Sequence, residues 1–142
     1  MKPLDKITRF IGSEFSEPVL SIGGKSPLYG LLNIYYSVKM SYTSGDINDE
    51  SWIIKDEFYR FNTVLYINLK ENILSLYFFL KRLSKYFIDE RSVVYISNVG
   101  MFESEIFIDS ISKAGYEIID REIFLYRYRL VRLYKLMLKG LP

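Results

Sequence analysis

Two glycines, Gly23 and Gly24, follow directly on the apolar run Val19-Leu20-Ser21-Ile22, and Lys25-Ser26-Pro27 comes next. A glycine pair at the end of a strand lets the backbone approach a ligand closely, because no Cβ intervenes. Ser26 suits a helix N-cap and Pro27 the first helical position, and the free N–H groups of a helix start can hold an anion. Gly23, Gly24, Lys25 and Ser26 would form such a surface. A tight turn between a strand and a helix explains the same glycines equally well. Two further polar residues stand in comparable places. Asp46 follows Ser44-Gly45, and Asn68 follows the apolar run Val64-Leu65-Tyr66-Ile67. Asp46 is also a natural turn residue, and Asn68 with Glu71 could cap the helix that follows.

The composition removes much of enzyme chemistry. The 142 residues include no histidine and no cysteine. The usual general base, the usual zinc ligand, disulfides and thiolate nucleophiles are therefore absent, and no metal site is expected. A net charge of +2 is too balanced to argue for nucleic acid on bulk charge. The C-terminal stretch differs. Tyr126-Arg127-Tyr128-Arg129 interleaves aromatic and basic residues, and Arg132, Lys135 and Lys139 follow. Such a string can stack bases and pair phosphates, with Arg127, Arg129 and Arg132 as the contacts. A strand with one solvated face, guarded by basic side chains against edge pairing, produces the same string. Tyrosine and phenylalanine number 13 and 10, Ala114 is the sole alanine, and glutamine is absent. Few thermolabile side chains fit a thermophilic source, as would a biased genome.

The elements that must position these residues follow from periodicity. Pro3 to Ile11 spaces Leu4, Ile7, Phe10 and Ile11 as an amphipathic helix. Pro18 to Ile22 reads as a short buried strand, Pro27 to about Tyr36 as a helix, and Val38 to Tyr42 as an alternating strand. Asn62 to Asn68 has the continuous apolar run of a central parallel strand. Glu71 to Phe87 puts Ile73, Leu76, Tyr77, Leu80, Leu83 and Phe87 on one helical stripe, with Lys81, Arg82 and Lys85 opposite. Ser92 to Ser97 is another buried strand, and Asn98-Val99-Gly100 reads as a connection. Phe102 to Ala114 is expected to be helical, with Phe102, Ile106, Phe107 and Ile111 inward and Gly115 as a left-handed cap. Tyr116 to Asp120 and Ile123 to about Leu133 read as two antiparallel strands. The expectation is one α/β domain over 1–142, with a mostly parallel sheet flanked by helices and an antiparallel C-terminal strand pair.

That order resembles the class I, S-adenosylmethionine-dependent methyltransferases. Val64-Leu65-Tyr66-Ile67-Asn68-Leu69-Lys70-Glu71-Asn72 resembles the family's fourth strand and the loop after it, where Asn-x-x-Glu-His is common; Asn72 replaces the histidine. Val93-Val94-Tyr95-Ile96 stands for the fifth strand, and Ala114-Gly115-Tyr116-Glu117 for the turn into the sixth. Val19-Leu20-Ser21-Ile22-Gly23-Gly24 resembles the first strand and glycine-rich loop. Ser21 stands where the family usually carries an acid, and Lys25 and Pro27 where it carries further glycines. Gly45-Asp46-Ile47 resembles the step beside the adenine, and Trp52 could stack on that ring or pack in the interior. The stretch from Tyr36 to Gly45 is too short for the family's second strand, its helix and its third strand, so one strand–helix unit is expected to be absent. The resemblance implies a Rossmann-like sheet that binds S-adenosylmethionine through Ser21, Gly23, Gly24, Lys25, Asp46 and Asn68.

Three functional readings follow. The first is a divergent methyltransferase-like protein whose acceptor is unknown. Methyl transfer to an acceptor that is already nucleophilic needs little acid–base chemistry, so alignment can carry it without histidine. The motif after the fourth strand lacks the Asn/Asp-Pro-Pro-aromatic signature of amino-methylating DNA enzymes. The second reading is a non-catalytic binding or assembly module on the same fold. The third makes the basic, tyrosine-rich C-terminal strand a nucleic-acid surface. The N-terminus lacks the apolar core of a signal peptide, and the longest apolar run, Ile73 to Leu80, is too short to cross a bilayer, so a cytoplasmic protein is expected. Leu136, Met137 and Leu138 are candidates to pack on a second copy in a homodimer.

Overall fold

The computed structural model describes residues 3–12, 19–22, 40–43, 60–67, 76–100 and 103–139. Helix α1 spans Pro3–Ile11, followed by strands β1 (Val19–Ile22), β2 (Met40–Thr43) and β3 (Thr63–Tyr66). Helix α2 spans Leu76–Leu83 and runs into a 3-10 turn, Ser84–Tyr86. Strand β4 (Val93–Val99), helix α3 (Glu105–Lys113), and strands β5 (Tyr116–Tyr126) and β6 (Arg129–Leu138) complete the order. Six described strands form one sheet in the order β2-β1-β3-β4-β6-β5. β1 pairs in parallel with β2 and with β3, and β3 pairs in parallel with β4. β6 is antiparallel to both β4 and β5, so β6 alone runs against the other strands. The expected mostly parallel sheet with an antiparallel C-terminal pair is observed. The helix expected over 27–36, Trp52, Glu71 and most of the stretch expected to lack a strand–helix unit lie outside the described residues.

The sheet separates two apolar cores. Period-two alternation sends Val64 and Tyr66 of β3, Val94 and Ile96 of β4, and Tyr134 and Leu136 of β6 to one face, beneath α2 and α3. It sends Leu65, Tyr95, Val131 and Leu133 to the other face, beneath Ile7 and Ile11 of α1. Leu80 and Leu83 of α2 have no exposed surface. Burial of such a side chain stabilises by about 1.5–3 kcal/mol. Two buried tyrosines tie helices to the sheet through their hydroxyls. Tyr95 donates to the Ile11 carbonyl (3.3 Å), and Tyr116 donates to the Leu80 carbonyl (2.7 Å). Each satisfies its own buried O–H while fixing a helix position.

Several sequence expectations are corrected. α2 ends at Leu83, and Phe87 is extended (φ −80°, ψ 144°). Phe87 is buried, but through a parallel bridge to Phe61 and not as the end of a helical stripe. The Phe61 N–H donates to the Tyr86 carbonyl (2.7 Å) and the Ile88 N–H to the Phe61 carbonyl (3.2 Å), which draws the chain off the helical path. β4 runs on to Val99, so Asn98 and Val99 are strand residues. In α3, Ser104 is the N-cap, its side chain accepting from the Phe107 N–H. That start points Phe107 and Ile111 inward and leaves Ile106 79% exposed, not inward as expected. Gly115 ends the helix at φ +94°, as its type predicted.

The C-terminal hairpin is the largest correction. Tyr116–Tyr126 is one strand, and the turn falls at Arg127-Tyr128 instead of near Asp120-Arg121-Glu122. The register shifts between Ile118 and Asp120, which leaves Ile119 as a β-bulge. An extra residue inverts the alternation beyond it. Tyr116 and Ile118 therefore pack beneath α2 and α3, while Phe124 and Tyr126 pack against the opposite core. The broken alternation is what makes one strand look like two in the sequence. Leu136 is also corrected: it is fully buried in this chain's own core and cannot face a second copy. Parity predicts that Phe124→Ala costs about 3–4 kcal/mol. The neighbouring Ile123→Ala, at a residue 51% exposed, should stay within about 0.5 kcal/mol. Urea unfolding midpoints distinguish the two, and equal losses would refute the assigned parity.

Candidate functional site

The order β2-β1-β3 places a topological switch at β1, because the chain crosses from β1 to β2 on one side and returns to β3 on the other. Ligands in open α/β sheets sit in the crevice at the carboxyl ends of strands beside such a point. Ser21 lies within β1, its backbone in register with Tyr42 of β2 and Leu65 of β3. β1 ends at Ile22, immediately before Gly23; β2 ends at Thr43, shortly before Asp46; β3 ends at Tyr66, shortly before Asn68. The three strand ends thus lie side by side at the switch. Gly23, Gly24, Lys25, Asp46 and Asn68 themselves lie outside the described residues.

The same edge continues past β4, where a polar network occupies the β4–α3 connection. The Tyr134 hydroxyl donates to Glu103 Oε2 at 2.9 Å. Arg121 Nη1 donates to both carboxylate oxygens, at 3.2 and 3.1 Å. Arg121 and Tyr134 face each other across the β5–β6 pair. Tyr134 is fully buried, and its ring lies 5.1 Å from that of Phe107. Burial first, and then the hydrogen bond and charge of Glu103, hold the Tyr134 phenol well above its ordinary pKa, against smaller opposing effects of Arg132 and Arg121. Burial alone does the same for Tyr116. Tyr134 therefore keeps its proton and acts as a donor. No sequence signal marks this triad, because its members meet only through the strand register.

The three basic candidates of the C-terminal stretch divide. Arg132 Nη1 donates to the Gly100 carbonyl at 2.7 Å, while the Gly100 N–H donates to the Leu130 carbonyl at 3.0 Å. Arg132 thereby fastens the hairpin to the end of β4. Arg127 lies at the tip, its guanidinium over the Tyr126 ring at 5.3 Å. Arg129 opens β6 on the exposed side of the turn. Arg127 and Tyr128 both have positive φ, 48° and 66°. Two such central residues suit a tight hairpin turn whose twist matches its strands, at a cost of order 1–2 kcal/mol per L-residue. Within the stretch expected to be one strand, Arg127-Tyr128 is thus a turn, between Tyr126 of β5 and Arg129 of β6.

Comparison with known proteins rests on structure. No family model matches the sequence, and no curated protein does. Magnesium protoporphyrin IX methyltransferase from Synechocystis PCC 6803, solved with bound SAM, superimposes with a TM-score of 0.61 at 10% identity, over 96% of this chain and 78% of that one. A methyltransferase-type protein from Bacillus halodurans C-125 superimposes at 0.67 and 12% identity, over 95% and 98%. The [4+2]-cyclase SpnF superimposes at 0.70 and 8% identity, over 94% and 80%. The chain has the class I methyltransferase fold. Its sheet is the Rossmann-like one that the resemblance implied, and at these identities the likeness speaks of the fold alone. No helix among the described residues is long and apolar enough to cross a membrane.

The raised tyrosine pKa values carry a consequence for stability. The unfolded chain ionises its phenols near pH 10, whereas folded Tyr116 and Tyr134 hold their protons to higher pH. Their contribution is complete below about pH 10 and is lost as pH rises toward the folded values. Urea midpoints should fall steeply above about pH 10, and Y116F/Y134F should flatten that fall. At neutral pH, Tyr134→Phe alone should cost about 1–2 kcal/mol by loss of the bond to Glu103. An unchanged alkaline slope in the double variant would contradict this account.

Proposed function

We propose that this chain binds S-adenosylmethionine at the carboxyl ends of β1 and β3 and transfers its methyl group to a nucleophilic acceptor. The observation that carries this reading is the switch at β1, where parallel strands on either side run out next to Gly23-Gly24, Asp46 and Asn68. In this reading Ser21 and the Gly23-Gly24-Lys25 loop hold the amino-acid end of the cofactor, Asp46 lies toward the adenosine, and Asn68 flanks the methyl-bearing side. The strand ends fit such a ligand, since β1 and β3 are direct neighbours and glycine follows at once on Ile22. S-adenosylmethionine would supply an activated methyl group on a sulfonium centre. The protein's contribution is then to orient the acceptor and exclude water, for which neither histidine nor cysteine is required.

The test is calorimetric titration of the protein with S-adenosylmethionine and S-adenosylhomocysteine. One saturable site per chain is expected, with a higher melting temperature in the presence of either ligand. Gly23→Val should weaken binding at least tenfold by placing a side chain where the cofactor approaches, and Asp46→Asn should weaken it less. No heat and no thermal shift at millimolar ligand would overturn the proposal and leave the second reading, a binding or assembly module on this fold.

A further inference from the structure

The tip of the β5–β6 hairpin has features that neither the fold nor a methyltransferase site uses. Tyr128 is 98% exposed. It occupies a left-handed conformation that glycine or asparagine would adopt more easily, as does Arg127 beside it. An aromatic ring placed wholly in water at such a position contributes nothing to either core. The charged residues that flank it at the tip, Arg127 and Arg129, are both basic and exposed. From Ile123 to the C-terminus the chain holds Arg127, Arg129, Arg132, Lys135 and Lys139, five basic residues and no acidic one. The Arg127 guanidinium lies over the Tyr126 ring, 5.3 Å from its centroid. A guanidinium over an aromatic face keeps its charge and its N–H donors, which suit a phosphate. The tip also stands at the carboxyl end of β4: Val99 pairs with Val131 and Gly100 bonds to Leu130, so Arg127 and Tyr128 lie past that strand end.

We propose that this tip binds single-stranded nucleic acid, with Tyr128 stacking on an unpaired base and Arg127 on a neighbouring phosphate. A free ring face fits a base that is not already stacked within a duplex, which selects a single strand over a double one. β4 is parallel to β3, and β3 to β1, so the tip lies at the end of the sheet where those strands have their carboxyl ends. The binding itself does not depend on the cofactor, so its test is made without S-adenosylmethionine and stands or falls separately from the methyltransferase reading.

The experiment is fluorescence anisotropy with a labelled twenty-nucleotide oligothymidylate, repeated across a salt series, with the corresponding duplex and anionic phosphatidylserine vesicles as alternatives. The single strand should bind more tightly than the duplex, with affinity that falls as salt rises. Tyr128→Ala should weaken binding by about 5- to 100-fold, and Tyr128→Phe should retain it. Arg127→Ala should reduce the salt slope by about 0.7. Tyr128→Gly should lose binding while raising the melting temperature by a few degrees, because it relieves the backbone; a turn with no ligand would gain stability and lose nothing. Three results would overturn the proposal: no binding to the oligonucleotide at low salt, binding indifferent to Tyr128, or Tyr128-dependent binding to vesicles alone.

Discussion

β6 is enclosed on both edges and both faces, and the rest of the described architecture depends on that burial. It pairs with β4 on one side and β5 on the other. Val131, Leu133, Tyr134 and Leu136 have no exposed surface, and their alternation delivers them in turn to the two cores. A strand so enclosed cannot leave a polar group without a partner. The Tyr134 hydroxyl must find an acceptor, and Glu103 supplies it from the connection that opens α3. Arg132 finds the Gly100 carbonyl. The demands of one strand therefore fix the path of the chain where it leaves β4, which is the edge at which a ligand would be held.

The bulge at Ile119 resolves a conflict set by that arrangement. β5 is an edge strand of eleven residues among the described strands. Its first half must serve the core under α2 and α3, and its second half the core under α1. Strict alternation allows an edge strand with one apolar face to serve only one of them. One extra residue lets Tyr116 and Phe124, which share a parity in sequence, point to opposite faces. The bulge and the charged run Asp120-Arg121-Glu122 beside it also break the regular edge, which discourages pairing with other chains.

What the sequence showed of this structure follows from the range of the forces involved. The apolar runs at Val64-Leu65-Tyr66-Ile67 and Val93-Val94-Tyr95-Ile96 had to be central strands, because only burial on both faces tolerates them. Gly115 announced its conformation because few other residues adopt it. The direction of Ile106 was missed because it depends on where Ser104 starts the helix, and one residue of phase turns a side chain by about 100°. The hairpin turn was missed because Arg127 and Tyr128 are not turn-forming types, while Asp120 is. Glu103, Arg121 and Tyr134 form a contact that no local pattern encodes, since it requires the register of β5 on β6. The candidate cofactor edge was legible as a set of strand ends, from the apolar runs and the polar residues that follow them.

Proteins named as methyltransferases and one named as a [4+2]-cyclase share this fold at comparable TM-scores. A sheet that supports both supplies a place to hold a ligand, not a reaction. The restriction comes from the side chains. Without histidine or cysteine, the titratable side chains of this chain are carboxylates, amines, guanidinia and phenols. Glu103 is already engaged by Tyr134 and Arg121, and Tyr134 keeps its proton. A reaction that requires a proton to be moved near neutral pH finds few groups suited to it among the described residues of this edge. Displacement at a sulfonium-bound methyl by an acceptor that carries its own nucleophile makes the smallest demand on the protein, since the cofactor provides the leaving group and the fold provides alignment.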